Sequence, residues 1–399
     1  MSKLQELIQR LCPDGVEYKK LGEICIFKRG DVLSSKDAVE GDVPVMAGGQ
    51  KPSCYHNVPN RKGETIVVAG SGAYAGFVTY WNIPVFVSDA FSVHPIDGLL
   101  PKYVFHYLKN NQAKIHATKK GAGVPHVHGK DIAKFLIPVP PLEVQEEIVR
   151  ILDRFDVYAA ELQAELQARK EQYEYYRNLL LTFNPAGCAG EADDEQEGSV
   201  TTWGGHSYPI QWKTMGEIGK IKMCKRVMKN QTTDRGDIPF YKIGTFGKKA
   251  DAFISRKIFD EYKRLYSYPR KGTILVSASG TIGRCVVYEG EEAYYQDSNI
   301  VWLDNDESIV LNTYLYHYYQ IVNWNTEGGT IKRLYNDRFA STPIPVPPLE
   351  LQEKIVAILD RFETLVNDLS EGLPAEIAAV KEQYEYYRNR LLTFKEKTA

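Results

Sequence analysis

Two serines lie in short loops of small residues, Ser71 in GSGAY (70–74) and Ser279 in SASGT (277–281). A serine hydroxyl becomes a nucleophile when a neighbouring histidine removes its proton and an acid orients that histidine. No histidine and acid stand at matched positions beside both loops. The chain also lacks a P-loop and the Asn/Asp-Pro-Pro-aromatic motif of adenine methyltransferases. The sequence therefore predicts a protein without catalytic residues.

A metal site is the second chemistry to consider, because His126 and His128 are two residues apart. A strand would place both imidazoles on one face, and neutral imidazole is a common metal ligand. Arg333 and Tyr335 stand at the corresponding positions of the second half of the chain. Since that half lacks the pair, we expect neither a metal nor a cofactor on this chain.

Basic and small polar side chains form a third group, and these are the types that contact the phosphates and base edges of nucleic acids. For any single one of them, a solvated surface charge is the simpler interpretation. Arg61 and Lys62 precede a predicted strand, so a turn-capping role explains them equally well. The candidates are Lys28, Arg29, Arg61, Lys62, Ser71, Tyr74, Lys119, Lys120, His126 and His128 in the first half, and Lys225, Arg226, Lys248, Lys249, Ser279, Thr281, Arg284, Lys332, Arg333 and Tyr335 in the second.

The elements that must position these residues occur twice. IPVPPLEVQEEIVRILDRF at 137–155 returns as IPVPPLELQEKIVAILDRF at 344–362. RKEQYEYYRNLLLTF at 169–183 returns as VKEQYEYYRNRLLTF at 380–394. Because the chain has 399 residues, each copy accounts for about half of it. The chain is therefore two similar halves in tandem, which tend to fold about an approximate two-fold axis.

Each half consists of a mixed region followed by a long helix. Val/Ile/Thr/Tyr-rich runs broken by Gly and Pro predict strands and turns in the mixed regions. The fold class is α/β (α+β), with two tandem domains in a pseudo-two-fold arrangement separated by two long antiparallel coiled-coil helices. The predicted segments are a first mixed domain at 1–140, a helix at 141–183, a flexible acidic linker at 184–206, a second mixed domain at 207–347 and a helix at 348–395.

The helices carry a regular apolar seam. Apolar residues recur at alternating intervals of three and four, as in a coiled coil. A generic amphipathic helix within a larger fold is the alternative. The second helix holds four extra residues, including Gly372 and Pro374, and Pro374 suits the first residue of a restarted helix. The predicted seam residues are Leu152, Phe155, Leu162, Leu166, Tyr173, Tyr176, Leu359, Phe362, Tyr384 and Tyr387.

Composition is that of an ordinary globular chain. It is 43% hydrophobic and 25% charged, with a net charge of −2. The net charge is negative because of the acids in segment 191–197, and the remainder of the chain is mildly basic. The sequence has no apolar signal segment or membrane span, and its six cysteines are scattered. We expect a reduced, cytoplasmic protein.

A tandem, two-fold chain suits a two-fold ligand, and double-stranded DNA is the commonest long ligand of that kind. The duplicated PPLExQExI helix start, LDRF segment and KEQYEYYRNxLLTF helix end resemble the specificity subunit of Type I restriction–modification enzymes. The opening LCPDGVEYKKLGEI at 11–24 is similar to that family's usual opening. The resemblance extends over essentially the whole chain.

That resemblance implies two target-recognition domains in inverted orientation, each binding one half of a bipartite DNA site. It also implies that the helices dock two adenine-methyltransferase subunits and that a restriction/translocase subunit joins the complex. S-adenosylmethionine would then be bound by the partner methyltransferase subunits. Two alternatives remain open, a two-headed coiled-coil scaffold that binds no DNA and an enzyme that uses the serine loops.

The tandem AELQAELQ at 160–167 is a four-residue repeat inside the first helix. One such unit changes the length of a helix by about 6 Å. One base pair occupies roughly 3.4 Å of the DNA axis. The sequence therefore predicts that one unit changes the gap between half-sites by one to two base pairs.

Overall fold

The computed structural model describes residues 3–34, 36, 39–96, 98–121, 123–183, 199–328 and 332–397, which divide into two units. Unit 1 comprises residues 1–165 and 375–399, and unit 2 comprises residues 166–374. Each unit therefore contains one mixed region, the helix that follows it and the far end of the other half's helix. Among the described residues, no helix is long and apolar enough to cross a membrane.

Unit 1 alternates short strands with helices around a central antiparallel sheet. Its elements are α1 (Lys3–Leu11), β1 (Glu17–Lys20), α2 (Leu21–Ile24), β2 (Cys25–Arg29), β3 (Val43–Met46), β4 (Cys54–His56), β5 (Thr65–Ala69), β6 (Val78–Trp81), β7 (Phe86–Val87), β8 (Ala90–Pro95), α3 (Pro101–Asn110), α4 (Gln112–Ala117), α5 (Gly129–Ile132), β9 (Leu136–Val139) and the first part of α6 (Leu142–Leu181).

Unit 2 repeats this order, with an added hairpin strand, β10, at its start and an added helix, α8, after β14. Its elements are β10 (Ser199–Trp203), β11 (His206–Thr214), α7 (Met215–Ile218), β12 (Gly219–Lys222), β13 (Ile238–Tyr241), β14 (Phe253–Ile254), α8 (Arg256–Leu265), β15 (Ile274–Ser277), β16 (Cys285–Val287), β17 (Tyr294–Tyr295), β18 (Ile300–Asn305), α9 (Asn312–Tyr319), α10 (Asn336–Ala340), β19 (Pro343–Val346) and α11 (Leu349–Asn367), with α12 (Leu373–Leu391) returning to unit 1.

Two of the three sheets in each unit have the same topology, and the third, β1-β9, gains β10 to become β10-β11-β19 in unit 2. A four-stranded antiparallel sheet has the order β2-β8-β5-β6 in unit 1 and β12-β18-β15-β16 in unit 2. A three-stranded sheet, β4-β3-β7 or β14-β13-β17, contains one parallel pair in each unit. Every residue of β5 and of β15 is buried, so both faces of these central strands are covered. The predicted tandem α/β organisation is confirmed.

A buried glutamine anchors each long helix at its start. Two prolines precede α6, and the amide groups of Val144 and Gln145 bond to the Pro141 carbonyl. The Gln145 side chain accepts from the Leu100 amide and donates to two carbonyls, at 2.8–3.0 Å. Gln352 makes the equivalent three bonds, at 2.8–2.9 Å, at the start of α11. The repeated PPLExQ motif therefore fixes each helix to its own domain.

The two long helical segments differ in continuity. Helix α6 runs through 40 residues without interruption. The second segment is broken at residues 368–372, and α12 restarts at Leu373 with Pro374 in its first turn. Within unit 1, α6 and α12 run in opposite directions, because Phe155 packs against Tyr384 and Tyr387 while Tyr158 bonds to Glu376. The four extra residues are accommodated by the break.

One part of the predicted linker is ordered. Residues 184–198 lie outside the described residues. Residues 199–203, predicted as flexible chain, instead form β10, which pairs with β11 across Gly204 and Gly205. Their φ angles of 56° and 80° are those that a two-residue hairpin turn requires, and glycine adopts them without strain. The linker prediction is wrong for these residues because a Gly-Gly turn between Thr/Trp- and Tyr-containing runs favours a hairpin.

Candidate nucleic-acid interface

The two serine loops have the same geometry. The Gly70 amide bonds to the Asp89 carbonyl, and the Ala278 amide bonds to the Asn299 carbonyl. The serine hydroxyls donate to the side chains of those same partners, Ser71 to the Asp89 carboxylate and Ser279 to the Asn299 carbonyl oxygen at 2.8 Å. Each hydroxyl is therefore a fixed donor rather than a group activated by an imidazole.

A second segment pairs with each serine loop through its backbone. His126 forms bridges to Ser71 and Lys120, and Arg333 forms bridges to Ser279 and Glu327. The next residue continues the match, because the Val127 and Leu334 amides each bond to a serine-loop carbonyl at 2.9 Å. The backbone of the two domains is therefore alike at this place. The side chains that it presents differ, histidine in one domain and arginine in the other.

Unit 1 has a cleft of about 630 Å³ beside this segment. The His126 and His128 rings are both exposed and lie nearly parallel, with centroids 6.4 Å apart. Arg29 at the end of β2, Asp89 and Lys130 line the same cleft. The cleft thus combines hydrogen-bond donors, a carboxylate and aromatic faces, the groups that contact base edges.

Unit 2 has a smaller cavity of about 260 Å³, lined by Lys248, Thr281 and Arg284 among others. The Arg284 guanidinium donates to the Phe246 carbonyl at 3.0 Å. In the segment equivalent to the histidines, the Arg333 guanidinium lies over the Tyr335 ring, 5.9 Å from its centroid. Tyr335 is 46% exposed.

Arg333 is held by an unusual piece of backbone. Its guanidinium donates to the Ser298 carbonyl at 2.7 Å. Ser298 has φ 51°, and it is the single non-glycine residue with positive φ among the described residues. Such a conformation is disfavoured for serine and persists where the surrounding structure imposes it, often at functional sites. The guanidinium is therefore positioned by its surroundings.

The remaining predicted residues are distributed over the surface. Lys120 forms an ion pair with Asp131 at 2.7 Å, and Lys119 donates to the Ala73 carbonyl at 3.3 Å. Arg226 pairs with Asp297 at 2.8 Å, and the Lys225 ammonium lies 4.9 Å from the Tyr266 ring centroid. The other predicted residues, which are exposed, are Lys28, Lys62, Tyr74, Lys249 and Lys332.

Arg61 is buried, so its prediction as a DNA-contacting residue is wrong. Its side chain is 4% exposed, and its guanidinium donates to the Ser92 hydroxyl at 2.8 Å and to the Arg29 carbonyl at 2.7 Å. Burial lowers the pKa of Arg61, although Asp31 opposes this. The repeat-equivalent Arg270 is exposed and pairs with Asp304 at 2.9 Å. Arg61 joins strand ends inside unit 1, and its buried guanidinium is occupied by these internal contacts.

Four residues of this site are not among the predicted ones: the serine partners Asp89 and Asn299, the cleft residue Lys130 and the strained Ser298. A signal was available, because Ser-Asp-Ala at 88–90 and Ser-Asn-Ile at 298–300 immediately precede equivalent strands. Their role depends on the position of the serine loop, which lies about 20 residues away in sequence. Sequence spacing alone does not reveal that approach.

The predicted seam residues are divided between two cores. Leu152 and Tyr384 belong to the core of unit 1, and Tyr173 and Leu359 belong to that of unit 2. Leu162 is also buried, whereas Tyr387 is 43% exposed. The half-buried members are Phe155, Leu166, Tyr176 and Phe362.

A buried histidine links the long helices to each domain. His106 Nε2 lies 3.0 Å from Asp153 Oδ1, and its Nδ1 lies 3.5 Å from the Tyr384 hydroxyl. In unit 2, His317 Nε2 lies 2.7 Å from Asp360 Oδ1, and its Nδ1 lies 3.4 Å from the Tyr173 hydroxyl. Burial raises the pKa of Tyr173 to about 12, so its hydroxyl stays protonated. Each cluster therefore joins a domain helix to both helices of its unit.

Comparison with known protein families gives one match that extends over most of the chain. Residues 13–171 and 209–379 both match the family described as Type I restriction modification DNA specificity domain. The two matched segments correspond to the two halves of the duplication.

Relatives and solved structures of similar proteins agree with that match. A type I restriction enzyme specificity subunit from Haemophilus influenzae is 42% identical over 95% of this chain and 96% of its own. The EcoR124I/EcoR124II specificity subunit of Escherichia coli is 31% identical over 74% of this chain and 71% of its own. The crystal structure of a Type I S subunit from M. genitalium covers 95% of this chain and 96% of its own with a TM-score of 0.57 at 16% identity, which is a likeness of fold.

Proposed function

This chain belongs to the family of Type I restriction–modification specificity subunits, and from that premise we propose that it binds a bipartite DNA site with one domain per half-site. In this proposal the chain performs no chemistry itself. It positions two adenine-methyltransferase subunits, which bind S-adenosylmethionine, and a restriction/translocase subunit joins the complex.

The observation that carries the proposal is a shared backbone that presents different side chains. His126 and Arg333 occupy equivalent bridges beside Ser71 and Ser279, and Asp89 in one domain corresponds to Asn299 in the other. Carboxylates, amides, imidazoles and guanidinium groups have different hydrogen-bonding preferences for base edges. Two domains of one fold that differ at these places suit two different half-site sequences.

Phosphate contacts would come from the exposed lysines around the serine loops. Lys248 and Lys249 follow a turn that lines the cavity of unit 2, and Lys62 lies three residues before β5 in unit 1. Lysine ammonium groups neutralise phosphates without distinguishing bases. They would therefore set the affinity for any duplex, whereas the His126 and Arg333 segments would set the sequence.

Partner subunits would dock on exposed aromatic and apolar residues of the long helices. Tyr175 and Leu179 on α6 are 63% and 59% exposed, and Tyr386 on α12 is 59% exposed. Exposed Tyr and Leu side chains on one helix are typical of surfaces that are covered in a complex. Tyr175 and Tyr386 are repeat equivalents, so two copies of one partner fit this arrangement.

A methylation map tests the proposal. The chain is co-expressed with its adjacent methyltransferase subunit, and modified adenines are located across the host genome. We expect one split motif, two short specified halves around a fixed unspecified gap. A strain expressing the methyltransferase alone is the control and should lack that motif.

A stable complex that produces no new methylation would contradict the proposal. A mobility-shift assay with random duplex then identifies the alternative, because a two-headed scaffold would not retard DNA at any salt concentration. A DNA-binding subunit would retard it, and the shift would weaken steeply as salt increases.

A further inference from the structure

The buried histidine clusters of the two units differ in the charges around them. In unit 2, one nitrogen of His317 and one carboxylate oxygen each of Asp360 and Glu363 lie within 4.8 Å of one another. Among the described residues this is the one such group of three potential metal ligands. His317 is fully buried, and the two acids stand one helical turn apart on α11.

The equivalent acids of unit 1 are neutralised by two lysines. The Lys102 ammonium lies 2.5 Å from Asp153, which also contacts His106, and the Lys109 ammonium lies 3.0 Å from Asp156. Burial raises the pKa of Asp153, but hydrogen bonds from His106 and Lys102 outweigh it and leave that pKa lowered. The same histidine–carboxylate arrangement therefore binds two cationic groups where the chain supplies them.

Unit 2 lacks both lysines. Thr313 and Gln320 stand at the positions equivalent to Lys102 and Lys109. In the part of the chain that the structure describes, no Lys or Arg nitrogen lies within 4.0 Å of the Asp360 or Glu363 carboxylates. The Arg177 guanidinium, on α6, donates to Gln320 at 2.7 Å and lies 5.0 Å from the centroid of the Tyr173 ring.

The space beside these acids is open and electronegative. A cavity of about 450 Å³ is lined by Asp360, Glu363, Thr364, Asn367 and Asp368. Helix α11 ends at Asn367 with no basic residue in its last turn, so the negative end of its dipole faces this region without a compensating charge. In unit 1, α6 continues through the equivalent position, and no helix end exists there.

We propose that His317, Asp360 and Glu363 bind a divalent transition-metal ion of the Zn²⁺ class, in the place that lysine ammonium groups fill in unit 1. One imidazole and two carboxylates are an ordinary ligand set for Zn²⁺, with a water as the fourth ligand. Bonds of about 2.1 Å place tetrahedral ligand atoms roughly 3.4 Å apart. His317 Nε2 and Asp360 Oδ1, now 2.7 Å apart, would therefore separate slightly to admit the ion, and the Glu363 carboxylate, within 4.8 Å of both groups, would approach it.

The surroundings suit the imidazole as a ligand. Ligating histidines are commonly oriented by a partner at the other ring nitrogen. His317 Nδ1 lies 3.4 Å from the Tyr173 hydroxyl, and Nε2 lies 2.7 Å from Asp360 Oδ1, so an ion bound at Nε2 would replace the proton between these two atoms. The Tyr316 hydroxyl donates to Glu363 at 2.6 Å and would orient that carboxylate in the same way. The ion would fasten α9 to α11 within unit 2.

The test is a Zn²⁺ titration of the full chain by calorimetry under reducing conditions. The chain itself supplies a matched variant, because T313K/Q320K introduces the two lysines of unit 1 into unit 2. We expect wild type to bind one more equivalent of Zn²⁺ than this variant, or to bind it at least about 10-fold more tightly. D360N/E363Q should lose the same equivalent.

The reciprocal variant, K102T/K109Q, removes the lysines of unit 1 and should gain an equivalent of Zn²⁺ at His106. Thermal melting without metal checks that every variant is folded. Zn²⁺ could also bind to Cys54, which is exposed, or to His126 and His128, whose rings are stacked. All the variants retain these residues, so such binding does not contribute to the differences between them. Equal Zn²⁺ binding by wild type, T313K/Q320K and D360N/E363Q would overturn the proposal, as would the absence of binding to wild type.

Discussion

Unit 1 and unit 2 are the same fold with different side chains at a few selected places. Where the units are identical, the residues hold helices to domains, as Gln145 and Gln352 do with the same three hydrogen bonds. Where they differ, the residues lie beside the serine loops, as His126 and Arg333 do. The comparison indicates that one set of residues fixes each helix to its domain, whereas the side chains beside the serine loops can differ between the units.

The long helices offer the largest test of this division. Helix α6 is continuous through AELQAELQ, whereas the second segment is broken at 368–372. Adding one AELQ unit after Gln167 lengthens a continuous helix by about 6 Å. We expect methylation at the original gap to be lost and to reappear at a gap one to two base pairs longer, with both half-sequences unchanged. An unchanged gap in the methylation map would show that α6 does not set the spacing.

The buried glutamines are the next test. Gln145→Ala leaves the Leu100 amide and two carbonyls without their partner in a site that is 0% exposed. Leaving buried polar groups unpaired destabilises a protein by roughly 3 kcal/mol in total. Gln352→Ala should lower the free energy of unfolding by a similar amount, measured by urea denaturation. Q163A, at an exposed position of α6, is the control and should change it little. A large inequality between the two buried variants would break the equivalence of the units.

Arg333 and His126 test whether the divergent residues set specificity. Removing one base-contacting arginine typically costs about 2 kcal/mol and relaxes one position of the site. In the methylation map, we expect Arg333→Ala to degrade one half of the motif and His126→Ala to degrade the other half. Lys62→Ala is the control, because a phosphate contact should weaken all sites alike. Identical effects of the first two variants on both halves would contradict the assignment.

Glu147 gives the smallest effect and a dependence on pH. The repeat equivalent of this buried acid is Lys354. A hydrogen bond from Arg150 lowers the pKa of Glu147 to about 2, against burial, with a further contribution from Lys3. Because the folded pKa is depressed, this stabilisation is present above the unfolded pKa of about 4.5 and is lost as the pH falls towards 2.

We expect the ion pairs of Glu147 to contribute about 1 kcal/mol to the free energy of unfolding. This value is discounted for solvent screening, because Lys3 and Arg150 are largely exposed. Glu147→Gln should therefore remove part of the loss of melting temperature between pH 5 and pH 3. Glu146→Gln, an exposed neighbour, serves as the comparison and should leave that loss unchanged. An identical acid response of wild type and Glu147→Gln would show that the ion pair does not contribute.

The sequence by itself determined the duplication, the helix starts after the paired prolines and the membership of the family. These features are local or repeated, so they are visible in the order of residues. The same is true of the restart of the second helix near Pro374, because proline is favoured in a first helical turn. Alignment of the two halves also placed Arg333 opposite His126, which the equivalent bridges to the serine loops confirm.

The tertiary structure alone decided which polar residues are inside. Arg61 is buried because the carbonyl of Arg29 and the hydroxyl of Ser92 converge on it from distant strands. Asp89 meets Ser71 for the same reason. Apolar periodicity in the long helices predicted one seam, whereas the far end of each helix completes the core of the other half's domain. Periodicity identifies the face of a helix that is buried, but the partner of that face depends on contacts between residues that are far apart in sequence.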